Sequence, residues 1–178
     1  MKDVFSVKRS ADSDDVLKSL NGHFMQTIDV AAATTLEDVD SGKLIVVDAS
    51  TGFNLTLPAA EPGLYFKILI SVKGTDGNMK ILTSDSGDGS QSQYFFGGVR
   101  VVSTTEDQTE VQEIPLATAA ATEESYDVVV LDSDAATSGG CTGDILELHA
   151  VSTVGWCVSG TLTTTHANPA SVAVITGS

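Results

Sequence analysis

The nearest this sequence comes to a catalytic pair is Glu147 and His149, two residues apart in Ile145-Leu146-Glu147-Leu148-His149. A carboxylate beside an imidazole can orient a general base. In a strand, however, residues two apart share a face whatever their role, so the pair reads first as the polar side of an amphipathic strand. Cys141, within Gly139-Gly140-Cys141-Thr142-Gly143, could present a nucleophile on a turn with His149 as its base. No cysteine-protease signature surrounds it, and a glycine-rich hairpin accounts for the glycines. The remaining histidines are His23 and His166. The expectation is that the protein is not an enzyme and has no catalytic residue.

Two acidic turns could hold a cation. Asp85-Ser86-Gly87-Asp88-Gly89 and Asp132-Ser133-Asp134 offer the oxygen ligands that calcium favours. The EF-hand spacing and its closing Glu are missing, and Gly/Ser-rich acidic loops are ordinarily solvated turns. No phosphate-binding glycine fingerprint occurs, nor the strand–helix alternation that would support one. The reading is no metal and no cofactor. Tyr94, Phe95, Phe96 and Trp156 could form a sugar-stacking platform, but they lie in strand-like sequence, where packing into the core is expected. Cys141 and Cys157 make neither a disulfide framework nor a zinc set. They read as reduced thiols, with a bridge between them left open.

Charge excludes more. The net charge is -15, whereas nucleic-acid binding needs clustered Lys and Arg, so nucleic acid is not an expected partner. All nine basic residues lie at or before Arg100, and four of them (Lys2, Lys8, Arg9, Lys18) are in the first 18 positions. An acidic body repels DNA and anionic membranes. No signal peptide or membrane-spanning run is visible, which points to a chain made in a cytoplasm. Asn54-Leu55-Thr56 fits a glycosylation sequon but reads as strand sequence.

These residues need elements to hold them. Residues 1–25 read as an N-terminal docking arm. In it, Ser10-Ala11-Asp12-Ser13-Asp14-Asp15 supplies N-caps for a short helix through Val16, Leu17 and Leu20 that ends at Asn21-Gly22. Val4, Phe5 and Val7 form a small apolar set without neighbours enough for a core. From Gln26 onward the pattern has period two. Leu44 to Val47 reads as a strand buried on both faces. Phe53/Leu55/Leu57 and Leu64/Phe66/Ile68/Ile70 alternate with polar or smaller positions. Further strands are expected at 79–82, 94–102, 111–116, 126–131, 145–151, 156–162 and 172–175, with turns at Asp40-Ser41-Gly42, Glu61-Pro62-Gly63 and Thr75-Asp76-Gly77-Asn78. Short strands about ten residues apart predict an all-β fold for residues 26–178, an antiparallel β-sandwich or barrel of jelly-roll-like type. Tracts such as Ala31-Ala32-Ala33-Thr34-Thr35, 117–122 and 161–165 are small and hydroxyl-rich and suit contact between identical neighbours, as in a homotrimer.

One arrangement goes beyond composition. Ser41-Gly42-Lys43 opens a strand, Thr56-Leu57-Pro58-Ala59-Ala60 closes the next, and Gly63-Leu64-Tyr65-Phe66-Lys67 begins a third. Near the end, Gly143-Asp144-Ile145-Leu146-Glu147-Leu148 precedes Gly155-Trp156-Cys157-Val158-Ser159-Gly160. This resembles a β module of tailed-bacteriophage virion proteins, found in head decoration (capsid cement) proteins and in parts of fibres. The likeness covers 41–70 and 143–160, and departs from the family pattern in the acidic stretch between Thr104 and Glu124. It implies a trimeric, non-enzymatic virion protein on the outer surface of the phage head, with the major capsid protein as partner. A tail or head fibre, or a receptor-binding module, is the alternative. With no long fibrous repeat, and with the arm available for docking, the head is preferred. The expected capsid interface is Val4, Phe5, Val7, Val16, Leu17, Leu20, Phe24 and Met25.

Overall fold

The computed structural model describes residues 26–86, 92–105, 109–114, 126–131, 139–165 and 175–176. The arm, its expected helix and all eight expected capsid-interface residues lie outside the described residues. Twelve strands follow in chain order: β1 (Thr27–Val30), β2 (Thr34–Thr35), β3 (Leu44–Asp48), β4 (Asn54–Thr56), β5 (Tyr65–Val72), β6 (Met79–Leu82), β7 (Tyr94–Ser103), β8 (Thr109–Ile114), β9 (Val128–Leu131), β10 (Ile145–Ala150), β11 (Gly155–Thr164) and β12 (Ile175–Thr176). Among the described residues the only helical element is the 3-10 turn Asp38–Asp40.

The strands form a seven-stranded sheet, β1-β3-β5-β10-β11-β7-β8, and a five-stranded sheet, β12-β9-β6-β4-β2. From β1 to β6 the chain alternates between them, laying one strand in each sheet per turn. Consequently β1, β3 and β5 run parallel in the large sheet, and β2, β4 and β6 run parallel in the small one. This is a coil of three turns. Thr27 aligns with Leu44, 17 residues on, and Leu44 with Lys67, 23 residues further. The later strands pair mostly antiparallel, although β11 and β7 are parallel along their whole length.

The fold is therefore all-β, with two mixed sheets. The expectation of purely antiparallel pairing is corrected. The reason is physical: alternation of apolar and polar residues marks which face of a strand is buried, and it is the same in parallel and antiparallel pairs.

Period two did place the core. In β5 Phe66, Ile68 and Ile70 are buried; in β4 and just beyond it, Leu55 and Leu57; in β10 Leu146 and Leu148. Inward residues from both sheets belong to one apolar cluster, which also takes in Phe95, Val129 and Trp156. In β3 only Ile45 and Val47 are buried, while Leu44 and Val46 face outward half-covered, so that strand is not buried on both faces. Where β7 meets β11, Gly97 has φ +117, and a Cβ there would collide with the Val158 carbonyl oxygen. Only glycine permits so close a parallel approach at that backbone angle.

Candidate functional site

The outer face of the large sheet gathers three of the residues singled out in the sequence, Glu147, His149 and Cys157. Pairing of β10 with β5 sets Glu147 beside Lys67 and His149 beside Tyr65, and pairing with β11 sets His149 beside Cys157. The Lys67 Nζ lies 3.1 Å from Glu147 Oε1. That ammonium holds the Glu147 carboxyl below its ordinary range, and Glu147 raises the lysine in return. The carboxylate thus serves Lys67 in place of orienting an imidazole. His149 is exposed, with its ring centroid 4.5 Å from that of Tyr65. Partial burial, followed by the nearby Glu147 charge, raises the Tyr65 phenol.

Cys141 is at the other end of β10, in the turn that leads into it. Cys141 and His149 are separated by most of a strand, on the order of 20 Å at the rise of extended chain, so they form no nucleophile–base pair. Burial pushes both thiols upward, with Asp144 adding to the effect at Cys141. Neither is thereby a ready thiolate. The two cysteines are free, since the register that brings Cys157 to His149 leaves Cys141 at the opposite end of the strand.

Asp144, met in the sequence only as part of a Gly-Asp opening, is buried and accepts four hydrogen bonds. Its Oδ2 accepts the backbone N–H groups of Gly140 (3.1 Å), Cys141 (2.8 Å) and Thr163 (2.7 Å), and its Oδ1 accepts the Thr163 hydroxyl at 2.7 Å. One side chain so ties the turn before β10 to the end of β11. Burial pushes its carboxyl upward, against the pull of these four donors. Beside it lies an open cleft of about 420 Å³, bordered by Ile145, Glu147, Ser159, Gly160, Thr161 and Thr163.

Asp85, the first residue of the calcium-like loop, is committed in the same way. Its Oδ2 accepts the Ser92 amide and hydroxyl and the Gln93 amide, and its Oδ1 accepts the Thr83 hydroxyl. Burial would raise this carboxyl, but the bonds from Ser92, Gln93 and Thr83 together hold it below its ordinary value. Gly87, Asp88 and Gly89, like Asp132, Ser133 and Asp134, lie outside the described residues. Among the described residues no group of three or more His, Cys, Asp or Glu side chains converges as a metal site. Of the aromatic set, Phe95 and Trp156 are wholly buried in the core, while Tyr94 and Phe96 remain half-covered, 6.3 Å apart.

Two stretches singled out in the sequence, 41–70 and 143–160, meet in space. Residues 41–70 supply β3, β4 and most of β5, and residues 143–160 supply β10 and much of β11; β3, β5, β10 and β11 are consecutive neighbours in the large sheet, while β4 lies in the small one. Gly42 donates its amide to the Tyr65 carbonyl, and the Ser41 hydroxyl accepts the Tyr65 amide, so the Ser-Gly-Lys turn clasps the start of β5. Across the sheet, β10 joins β5 to β11. Sequence reasoning had no means of finding the Lys67–Glu147 pair or the Asp144 knot, because both depend on which strands are neighbours.

Comparison with family models, with curated proteins and with solved structures finds no match for this chain.

Proposed function

We propose that this protein is a virion structural component, a decoration (cement) protein that binds the lattice of the major capsid protein on the outer surface of a phage head. It would be made in the host cytoplasm and act as a homotrimer. The two sheets would be the layers of a sandwich. The observation that supports the reading is that β3 and β5, from residues 41–70, and β10 and β11, from residues 143–160, are adjacent strands of one sheet. Two stretches far apart in the sequence thereby lie side by side. A second support is chemical. Asp144 and Asp85 each accept four hydrogen bonds from their own chain and so brace the fold.

The mechanism would be burial of surface, roughly 800 Å² on each partner, in place of catalysis. Val4, Phe5, Val7, Val16, Leu17, Leu20, Phe24 and Met25 are the proposed contacts with the capsid. Purified protein is mixed with undecorated heads and imaged by cryo-electron microscopy, alongside a chain lacking residues 1–25 whose β structure is checked by circular dichroism. The full chain is expected to give ordered density on the shell, and the truncated one to leave shells bare. Decoration by the truncated chain would overturn the arm assignment. Shells left bare by the full chain would overturn the head reading and favour a fibre or receptor-binding module.

A further inference from the structure

Two paired strands floor the cleft beside Asp144. The outward side chains of β10 and β11 face one another in successive pairs, Ile145 with Thr161, Glu147 with Ser159 and His149 with Cys157. The first two pairs line the cleft. The third adjoins its end, roughly 7 Å further along at the two-residue rise of a strand. There the His149 ring lies against that of Tyr65 on β5, with centroids 4.5 Å apart, and Cys157 neighbours the half-covered Phe96 on β7. The Tyr65 phenol shares the Glu147 carboxylate with Lys67, which ties this aromatic shelf to the cleft.

The chemistry of the lining narrows what can occupy it. Glu147 is neutralised by Lys67, and Asp144 is already met by four donors of its own chain. Among the described residues the Ser159 and Thr161 hydroxyls enter no hydrogen bond with the chain. An apolar ligand would strip water from those hydroxyls and replace it with nothing. An anion would have to approach a chain of net charge -15. No three metal-binding side chains converge among the described residues. Both strands are interior to the sheet, β10 between β5 and β11 and β11 between β10 and β7, so their backbone edges offer nothing to an extended peptide. A neutral sugar supplies what the site lacks: hydroxyls that donate and accept, and an apolar ring face for the aromatic shelf.

We propose that this cleft and the aromatic shelf at its end bind a neutral oligosaccharide, its hydroxyls toward Ser159, Thr161 and Glu147 and one sugar ring against the Tyr65–His149 pair. This goes beyond the decoration reading and does not rest on it.

The test uses the soluble full chain without capsid, so its failure leaves the decoration reading where it stood. Amide NMR spectra of the isotope-labelled protein are followed during titration with maltotriose, chitotriose, mannotriose and N-acetyllactosamine, and with sialylated N-acetyllactosamine as the anionic counterpart. At least one neutral probe is expected to shift the amides of Ile145, Glu147, Ser159 and Thr161 in a saturable way, and the sialylated form to bind more weakly than its neutral parent. Thr161→Glu places a longer, charged side chain beside the cleft at an exposed position that faces Arg100, and should weaken binding about tenfold. His149→Ala removes half of the shelf at an exposed position and should weaken it about fivefold. Circular dichroism checks that both variants fold. No saturable shift with any neutral probe up to about 10 mM, a concentration that still detects weak complexes, would overturn the proposal. So would shifts confined to other parts of the chain, or affinity unchanged in both folded variants. Equal binding of the sialylated form would overturn the assignment to neutral sugars.

Discussion

Replacing Asp144 by alanine leaves four donors without their acceptor: the amides of Gly140, Cys141 and Thr163 and the Thr163 hydroxyl. A buried donor left unsatisfied costs about 1–3 kcal/mol. The adjacent cleft is open, so water can reach some of these groups, and the carboxylate no longer has to be desolvated; both effects reduce the total. The expected loss of stability is about 3 kcal/mol, or roughly 6–12 °C in Tm for a chain of this length. Asn is the informative comparison. With its carbonyl oxygen toward the three amides and its NH2 toward Thr163, whose hydroxyl can turn to accept, Asp144→Asn keeps every contact and loses only their charge-assisted strength, about 1 kcal/mol. Trp156, the one tryptophan of the chain and wholly buried, reports urea unfolding by its fluorescence. The two variants also separate in pH. Because the folded carboxyl is raised, its stabilising contribution is fully present below the unfolded value near pH 4 and is lost as pH rises through the folded value. Relative to wild type, Asp144→Asn should therefore gain stability on moving from acid to neutral pH. If Asp144→Ala unfolds with the wild-type midpoint, or Asn proves as damaging as Ala, the Asp144 knot does not hold these strands as argued.

Two further outcomes are expected. Gly97→Ala combines a left-handed backbone angle with a collision against the Val158 carbonyl oxygen, so β7 and β11 must separate locally; a loss of about 2–4 kcal/mol in the same unfolding assay is expected, and a wild-type midpoint would refute the close approach. Asp85 has the opposite pH sign to Asp144: its folded carboxyl is lowered, so its contribution is present above the unfolded value near pH 4 and is lost as pH falls through the folded value. Asp85→Asn should accordingly flatten the acid limb of the stability profile, and an unchanged acid limb would show that the bonds from Ser92, Gln93 and Thr83 do not hold the ionised form.

Legibility varied element by element. The apolar alternation of Leu64, Phe66, Ile68 and Ile70 located β5 and its buried face, and residues 79–82 coincide with β6. The strands β1 and β2 were not distinguished. Thr34-Thr35 lies in a tract that reads as small and polar, and a two-residue strand is too short to show a period. Turn chemistry did better: Gly42 at φ +84 and Gly63 at φ +102 sit where Asp40-Ser41-Gly42 and Glu61-Pro62-Gly63 predicted reversals. The candidate chemistry fared differently. Glu147 and His149 do share a face, as their spacing required, but the neighbour that determines what Glu147 does is Lys67, eighty positions earlier in the chain.

The sequence by itself determined that this is a β protein, because the period of its apolar residues is two. It determined most of the side chains that enter the core, because burial removes apolar area from water whichever strand lies alongside, although Leu44, Val46, Tyr94 and Phe96 stay half-covered. The concentration of charge is likewise a property of composition, with every Lys and Arg at or before Arg100. Only the tertiary structure decided strand direction and neighbourhood: the parallel coil of β1 to β6, the meeting of residues 41–70 with 143–160, and the closure of Asp144 on Thr163. A strand's pattern records which face is dry, whereas its hydrogen-bonding edges are chemically alike and are matched only when the whole chain has folded.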